Sequence, residues 1–89
     1  KTEAHITIKS VNPSAFTDHF TVNYSCKESG PAEFMITSVN GQIIEKRSLE
    51  MEEGNNYIDW TQSGEMPKGI YFVVVYAGNE KSVMKVVKQ

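Results

Sequence analysis

Apolar and polar residues alternate with a period of two along most of the chain. His5-Ile6-Thr7-Ile8-Lys9 opens the pattern, and Asn12-Pro13-Ser14 interrupts it. From His19 to Cys26 the apolar set Phe20, Val22, Tyr24 and Cys26 alternates with Thr21, Asn23 and Ser25. Successive side chains of a strand point to opposite faces, so the first set is expected inward and the second outward. Ser29-Gly30-Pro31 marks a turn, and Ala32, Phe34 and Ile36 define the core face of a strand over 32–39. Asn40-Gly41 tolerates the positive φ angles of a type I′ turn and predicts a hairpin to a returning strand over 42–48. Glu50-Met51-Glu52-Glu53-Gly54 reads as an exposed acidic connection, after which Asn56, Ile58 and Trp60 share one face. A loop over 63–68 holds Gly64 and Pro67. Gly69 then opens Ile70-Tyr71-Phe72-Val73-Val74-Val75-Tyr76, apolar at odd and even positions alike. Such a run predicts a central strand covered on both sides. Gly78-Asn79 turns the chain into a last strand over 82–88.

Seven short strands at intervals near ten residues predict an all-β fold, an immunoglobulin-like antiparallel β-sandwich. Composition agrees. Nine Val, seven Ile and six Thr stand against one Leu and four Ala, and β-branched side chains suit pleated strands better than helices. The 89 residues make one domain, 1–89, with a modest core. The longest apolar run, 70–77, is far short of the roughly 18–20 residues that span a bilayer as a helix. A net charge of −2 gives no overall basic field for nucleic acid or anionic lipid. No direct membrane insertion is expected.

Few residues carry candidate chemistry. Cys26 is the sole cysteine, so no internal disulfide or multi-cysteine metal site can form, and its place in the alternation makes it a small buried hydrophobe. His5 and His19 flank inward positions and are expected to face solvent. No third ligand stands at metal spacing. Asp18-His19 is not a triad by adjacency. Glu50, Glu52 and Glu53 read as a solvated loop. No cofactor is implied, and no enzyme is predicted. Lys81, Lys85 and Lys88 form a basic end that blunts a terminal strand expected at the sheet edge. Trp60 is expected in the core against Phe34, Ile36 and Phe72. Gly69 is expected to enter a site too crowded for a side chain.

Read in order, Asn12-Pro13, Phe20-Thr21-Val22, Ser38-Val39-Asn40-Gly41-Gln42-Ile43-Ile44, Gly54 leading to Ile58-Asp59-Trp60, Met66-Pro67-Lys68-Gly69-Ile70-Tyr71-Phe72-Val73 and Lys85-Val86-Val87-Lys88 resemble the C-terminal sorting domain of cargo of the type IX (Por) secretion system of Bacteroidetes. The resemblance runs from about Val11 to the last residue. Four positions depart from it: Ser10-Val11 stand where members commonly carry Tyr-Pro, Ser38 stands where an Asp is often found before the Asn-Gly turn, and Gln89 follows Lys88.

The resemblance implies a non-catalytic address on an N-terminal passenger, carried through the periplasm and read by the outer-membrane translocon. A sortase-like surface protease then removes the domain from most cargo, cutting at or before residues 1–4. The implied destination is the outer-membrane surface or the medium. Recognition maps onto Lys85, Val86, Val87 and Lys88. Asn12, Pro13, Gly41, Trp60, Gly69, Ile70 and Tyr71 map onto structural positions. An accessory adhesion or carbohydrate-binding module is the alternative, for which Tyr57 and Trp60 would have to supply an aromatic platform.

Overall fold

The computed structural model describes residues 5–89, so the expected cleavage region at residues 1–4 lies outside the described residues. Eight strands follow one another: β1 Thr7–Asn12, β2 Ala15–Phe16, β3 His19–Cys26, β4 Gly30–Ser38, β5 Ile43–Met51, β6 Gly54–Thr61, β7 Gly69–Ala77 and β8 Glu80–Lys88. They form two sheets, ordered β1-β3-β6 and β2-β8-β7-β4-β5. The crossovers between sheets are those of an immunoglobulin-like sandwich. The expected all-β class holds, with one strand more than the seven predicted. The extra strand, β2, has two residues, too few to show a period.

The alternation of β3 is realised as read. Phe20, Val22, Tyr24 and Cys26 are buried, while Thr21, Asn23 and Ser25 are half-exposed. On β4, Ala32, Phe34 and Ile36 face the core, and on β6, Ile58 and Trp60 do. Both sheets supply these side chains, so a single cluster fills the space between them. Burying each large one contributes about 1.5–3 kcal/mol.

At one end the core is aromatic. Phe16 meets Phe20 edge-on at 5.0 Å and Trp60 at 6.0 Å, and Phe20 lies 4.9 Å from Trp60. Trp60 donates its Nε1 hydrogen to Glu45 Oε1 at 3.3 Å, so its polar edge is satisfied although the ring is buried. Phe34 and Ile36 belong to the same cluster. Phe72 does not. It pairs with Thr37 and Lys85 on the opposite face of its sheet, because position 72 is out of phase with the inward positions 71, 73 and 75.

The β4–β5 hairpin differs from the expected type I′ turn. Gly41 has φ +88°, but among the described non-glycine residues positive φ occurs at His5 and not at Asn40. Gly41 N–H donates to Ser38 O at 3.0 Å, so Val39 and Asn40 are the central pair and Gly41 follows in the left-handed region. The register slips between Ile36 and Thr37. This is a three-residue loop with a bulge glycine, a second common hairpin solution. Ser38, where the resemblance leads one to expect an Asp, still caps it: its Oγ accepts from Gln42 N–H at 3.1 Å and donates to Asn40 Oδ1 at 2.7 Å.

Gly69 was expected in crowded surroundings. A Cβ there would meet nothing within 4 Å; the constraint is its φ of +144°, which side chains rarely adopt.

Candidate functional site

The residues that carry the resemblance come from opposite ends of the chain and meet in space. After β1, the Asn12-Pro13 break takes the chain out of the three-stranded sheet and sets β2 beside β8, in parallel, with Ala15 opposite Val87 and Phe16 opposite Lys88. Val87 N–H donates to Ser14 O and Gln89 N–H to Phe16 O, each at 2.8 Å. Lys88 Nζ donates to Thr17 O. On its other side β8 pairs with β7 along its whole length, from Gly69 opposite Lys88 to Ala77 opposite Glu80. The terminal strand is therefore not the free edge expected from sequence. At its C-terminal end both flanks are hydrogen-bonded, and β5 is the outer strand on the far side.

This arrangement divides the four recognition candidates. Val86 lies opposite Tyr71 and is 1% exposed, a core residue. Lys88 is tied back to the loop before β3. Lys85 and Val87 point to the other face, where Lys85 is exposed and Val87 is 37% exposed. Strand geometry fixes this split, since adjacent side chains alternate.

The remaining motif residues lie partly inside the sandwich and partly on its surface. Tyr71 donates its hydroxyl hydrogen to Pro67 O at 2.6 Å, pinning the 63–68 loop as the tyrosine corner does in immunoglobulin-like sandwiches. Ile70 faces the other way and is 43% exposed. The acidic turn is organised by an amide: Asn56 Oδ1 accepts from Glu52 N–H at 2.9 Å and Nδ2 donates to Glu52 O at 2.7 Å. Cys26 is buried, its thiol donating to Glu52 O at 3.2 Å. His5 and His19 are exposed, and His19 Nδ1 lies 2.8 Å from Asp18 Oδ1. That contact is the main reason the Asp18 carboxyl titrates below its ordinary value. Among the described residues no group of three His, Cys, Asp or Glu could hold a metal ion. Trp60 is buried and Tyr57 projects from the opposite face of β6, so the pair forms no aromatic platform.

The outer face of the five-stranded sheet has no counterpart in the alternation pattern. The registers of β5, β4, β7 and β8 align its side chains in rows. Ile70 stands beside Val87; Ile43, Thr37, Phe72 and Lys85 make the next row; Lys46, Met35, Val74 and Val83 follow; Ser48, Glu33, Tyr76 and Lys81 complete the face. The run 70–76 was expected to be covered on both sides. Instead Tyr71, Val73 and Val75 are buried in the sandwich, while Ile70, Phe72 and Tyr76 lie on a face that no further layer of described residues covers. Val74 is buried there by its neighbours in the sheet. Glu33 is engaged by Lys46 at 3.6 Å and by the Tyr76 hydroxyl, and that hydrogen bond pushes the Tyr76 phenol above its ordinary pKa.

The architecture defines an immunoglobulin-like β-sandwich. Comparison of solved structures agrees: the fold is similar to part of a β-glucosidase from Kluyveromyces marxianus, with TM-score 0.64 and 13% identity. The alignment covers 99% of this chain and 14% of that one, and at this identity it shows the fold alone. A search of curated proteins gives no match. The family comparison is decisive. Residues 10–89 match the secretion system C-terminal sorting domain, and the chain belongs to that family. The family is one of type IX secretion signals rather than catalysts, and membership marks the chain for export toward the cell surface or beyond.

Proposed function

We propose that the chain is the non-catalytic address of a secreted protein: it follows a passenger across the periplasm, is read by the type IX outer-membrane translocon, and delivers the passenger to the surface or medium. There a sortase-like protease separates the two. The observation that carries this reading is the family match, which spans residues 10–89 and includes the fastened terminal strand. The geometry supports it in one further respect. A signal shared by unrelated passengers has to be presented the same way each time, and β8 is held on both flanks at its end. Lys85 and Val87 are the accessible members of the terminal motif and make the contact; Val86 and Lys88 keep the strand in place.

The test fuses residues 1–89 to a periplasmic reporter in a bacterium that has the type IX system and in an isogenic strain lacking its translocon. Reporter at the surface or in the medium of the first strain alone is the expected result. Reporter confined to the periplasm of both overturns the reading.

A further inference from the structure

The outer face of the five-stranded sheet has the composition of a contact surface. Its centre is Phe72, Val74 and Met35, and around these stand Ile70, Val83 and Val87, exposed by 43%, 48% and 37%. Singly exposed apolar residues are ordinary on a protein surface. These are contiguous, because the strand registers put them in adjoining rows. Strand spacings of about 4.8 Å and rows about 6.8 Å apart give the whole four-strand face, polar members included, roughly 500 Å², so the apolar strip within it suits a small contact.

Charge says what covers it. Along β8, Lys81 and Lys85 alternate with Val83 and Val87 on this face. Both lysines are exposed, and neither is in the ion pairs described, His19–Asp18 and Lys46–Glu33. Glu33, the one carboxylate within the four rows, is already held by Lys46 and Tyr76. The face thus presents an apolar strip with an uncompensated basic margin, although the chain as a whole carries −2.

We infer that this face docks a protein partner on the export machinery whose own surface is apolar and edged by carboxylates. The inference rests on the sorting-signal reading and extends it from the tip of β8 across the sheet. A second copy of the chain fits less well. It has no free carboxylate within these rows to meet Lys81 and Lys85, and two such faces bury only about 1,000 Å² in total, below what stable dimers use and suited to transient encounters. A lipid surface fits less well too, since two uncompensated lysines are far fewer than the polybasic clusters that anchor proteins to anionic membranes. A cargo signal must be released after it is read, which a small, charge-steered contact allows.

The experiment uses the same reporter fusion, in three forms besides wild type. One carries Ile70→Thr, Val83→Thr and Val87→Thr. The second carries Lys81→Glu and Lys85→Glu, both at exposed positions, so that the fold survives even if the first form unfolds. The third carries Lys81→Gln and Lys85→Gln. Thermal melting of the isolated 89-residue chain reports folding. With wild type exported, the inference predicts at least a fivefold fall in surface reporter for folded threonine and glutamate forms. The glutamine form should fall less than the glutamate form, because it removes attraction without adding repulsion. Wild-type levels from the folded glutamate form overturn the inference, and with it Lys85 as a contact, but leave the chain's role as an export signal intact, whereas failure of wild type to be exported overturns both. Sedimentation that shows a wild-type dimer abolished by the threonine changes would assign the face to self-association. Binding of wild type to phosphatidylglycerol vesicles, lost in the glutamate form, would assign it to lipid. Either overturns the inference.

Discussion

The two faces of β7 teach different things from one sequence run. Tyr71, Val73 and Val75 meet the opposing sheet and are buried. Ile70, Phe72 and Tyr76, alternating with them along the strand, face outward, with no layer of described residues above them. Hydrophobicity is nearly the same on both faces, so hydrophobicity alone does not set burial. The number of sheets decides it. Two sheets make one interior, and an apolar residue on the outer side of either is left for its neighbours, for solvent or for a partner. Changes on the inner face should therefore act on stability, and changes on the outer face on recognition.

The contrast is sharpest at the aromatic end of the core. Trp60→Ala removes a ring packed against Phe16 and Phe20, and truncating a buried Trp costs about 3–5 kcal/mol. That is a large share of a small domain's stability, so urea unfolding should find the variant largely unfolded in buffer. Native fluorescence of the parent should be blue-shifted; a fully red-shifted spectrum would remove Trp60 from the core.

Tyr24 offers a pH test of the same interior. Burial, with a smaller contribution from Cys26, raises its phenol to about 12 from an ordinary 10.0. The unfolded chain then loses this proton before the folded one does. The stabilisation is complete below about pH 10 and drains away as pH rises toward 12. Melting temperature should fall across that window, and Tyr24→Phe should flatten the fall. An unchanged slope in the variant would show that Tyr24 ionises in both states alike.

At the hairpin, Gly41→Val forces a β-branched residue to φ +88° and should cost more than about 1 kcal/mol. A Cβ there meets nothing within 4 Å, so a wild-type melting temperature would mean that the turn relaxes freely. The smallest effect is expected outside: Val83→Thr should change unfolding free energy by less than about 0.5 kcal/mol. A larger loss would mean that the outer face is packed in the free protein.

Fold class and most burial assignments were legible because period-two alternation reports directly on faces, as β3 and the core face of β4 show. Three features were not. β2 is too short for a pattern, and it owes its place to hydrogen bonds with a strand some 70 residues away. Its presence turned the expected free edge at β8 into a fastened strand. The type I′ turn was read from Asn40-Gly41 alone, but Ser38 and the slipped register selected the bulged loop instead. Trp60 was placed in the core correctly, yet Phe72 was counted among its partners because the 70–76 run has no polar position to reveal its phase. Lys85-Val86-Val87-Lys88, the proposed recognition residues, stand out in the sequence as a motif, while their division into two accessible and two inward or tied-back residues required knowing which face of β8 meets the core.

That division is the central claim, and neighbouring residues test it. Val86→Thr and Val87→Thr make the same chemical change one position apart, compared by urea unfolding under identical conditions. Burying the new hydroxyl at Val86 should cost about 1–3 kcal/mol, while the change at Val87 should stay within about 0.5 kcal/mol. Equal losses, or a greater loss at Val87, would contradict the assignment of Val86 to the frame and Val87 to the surface proposed for recognition.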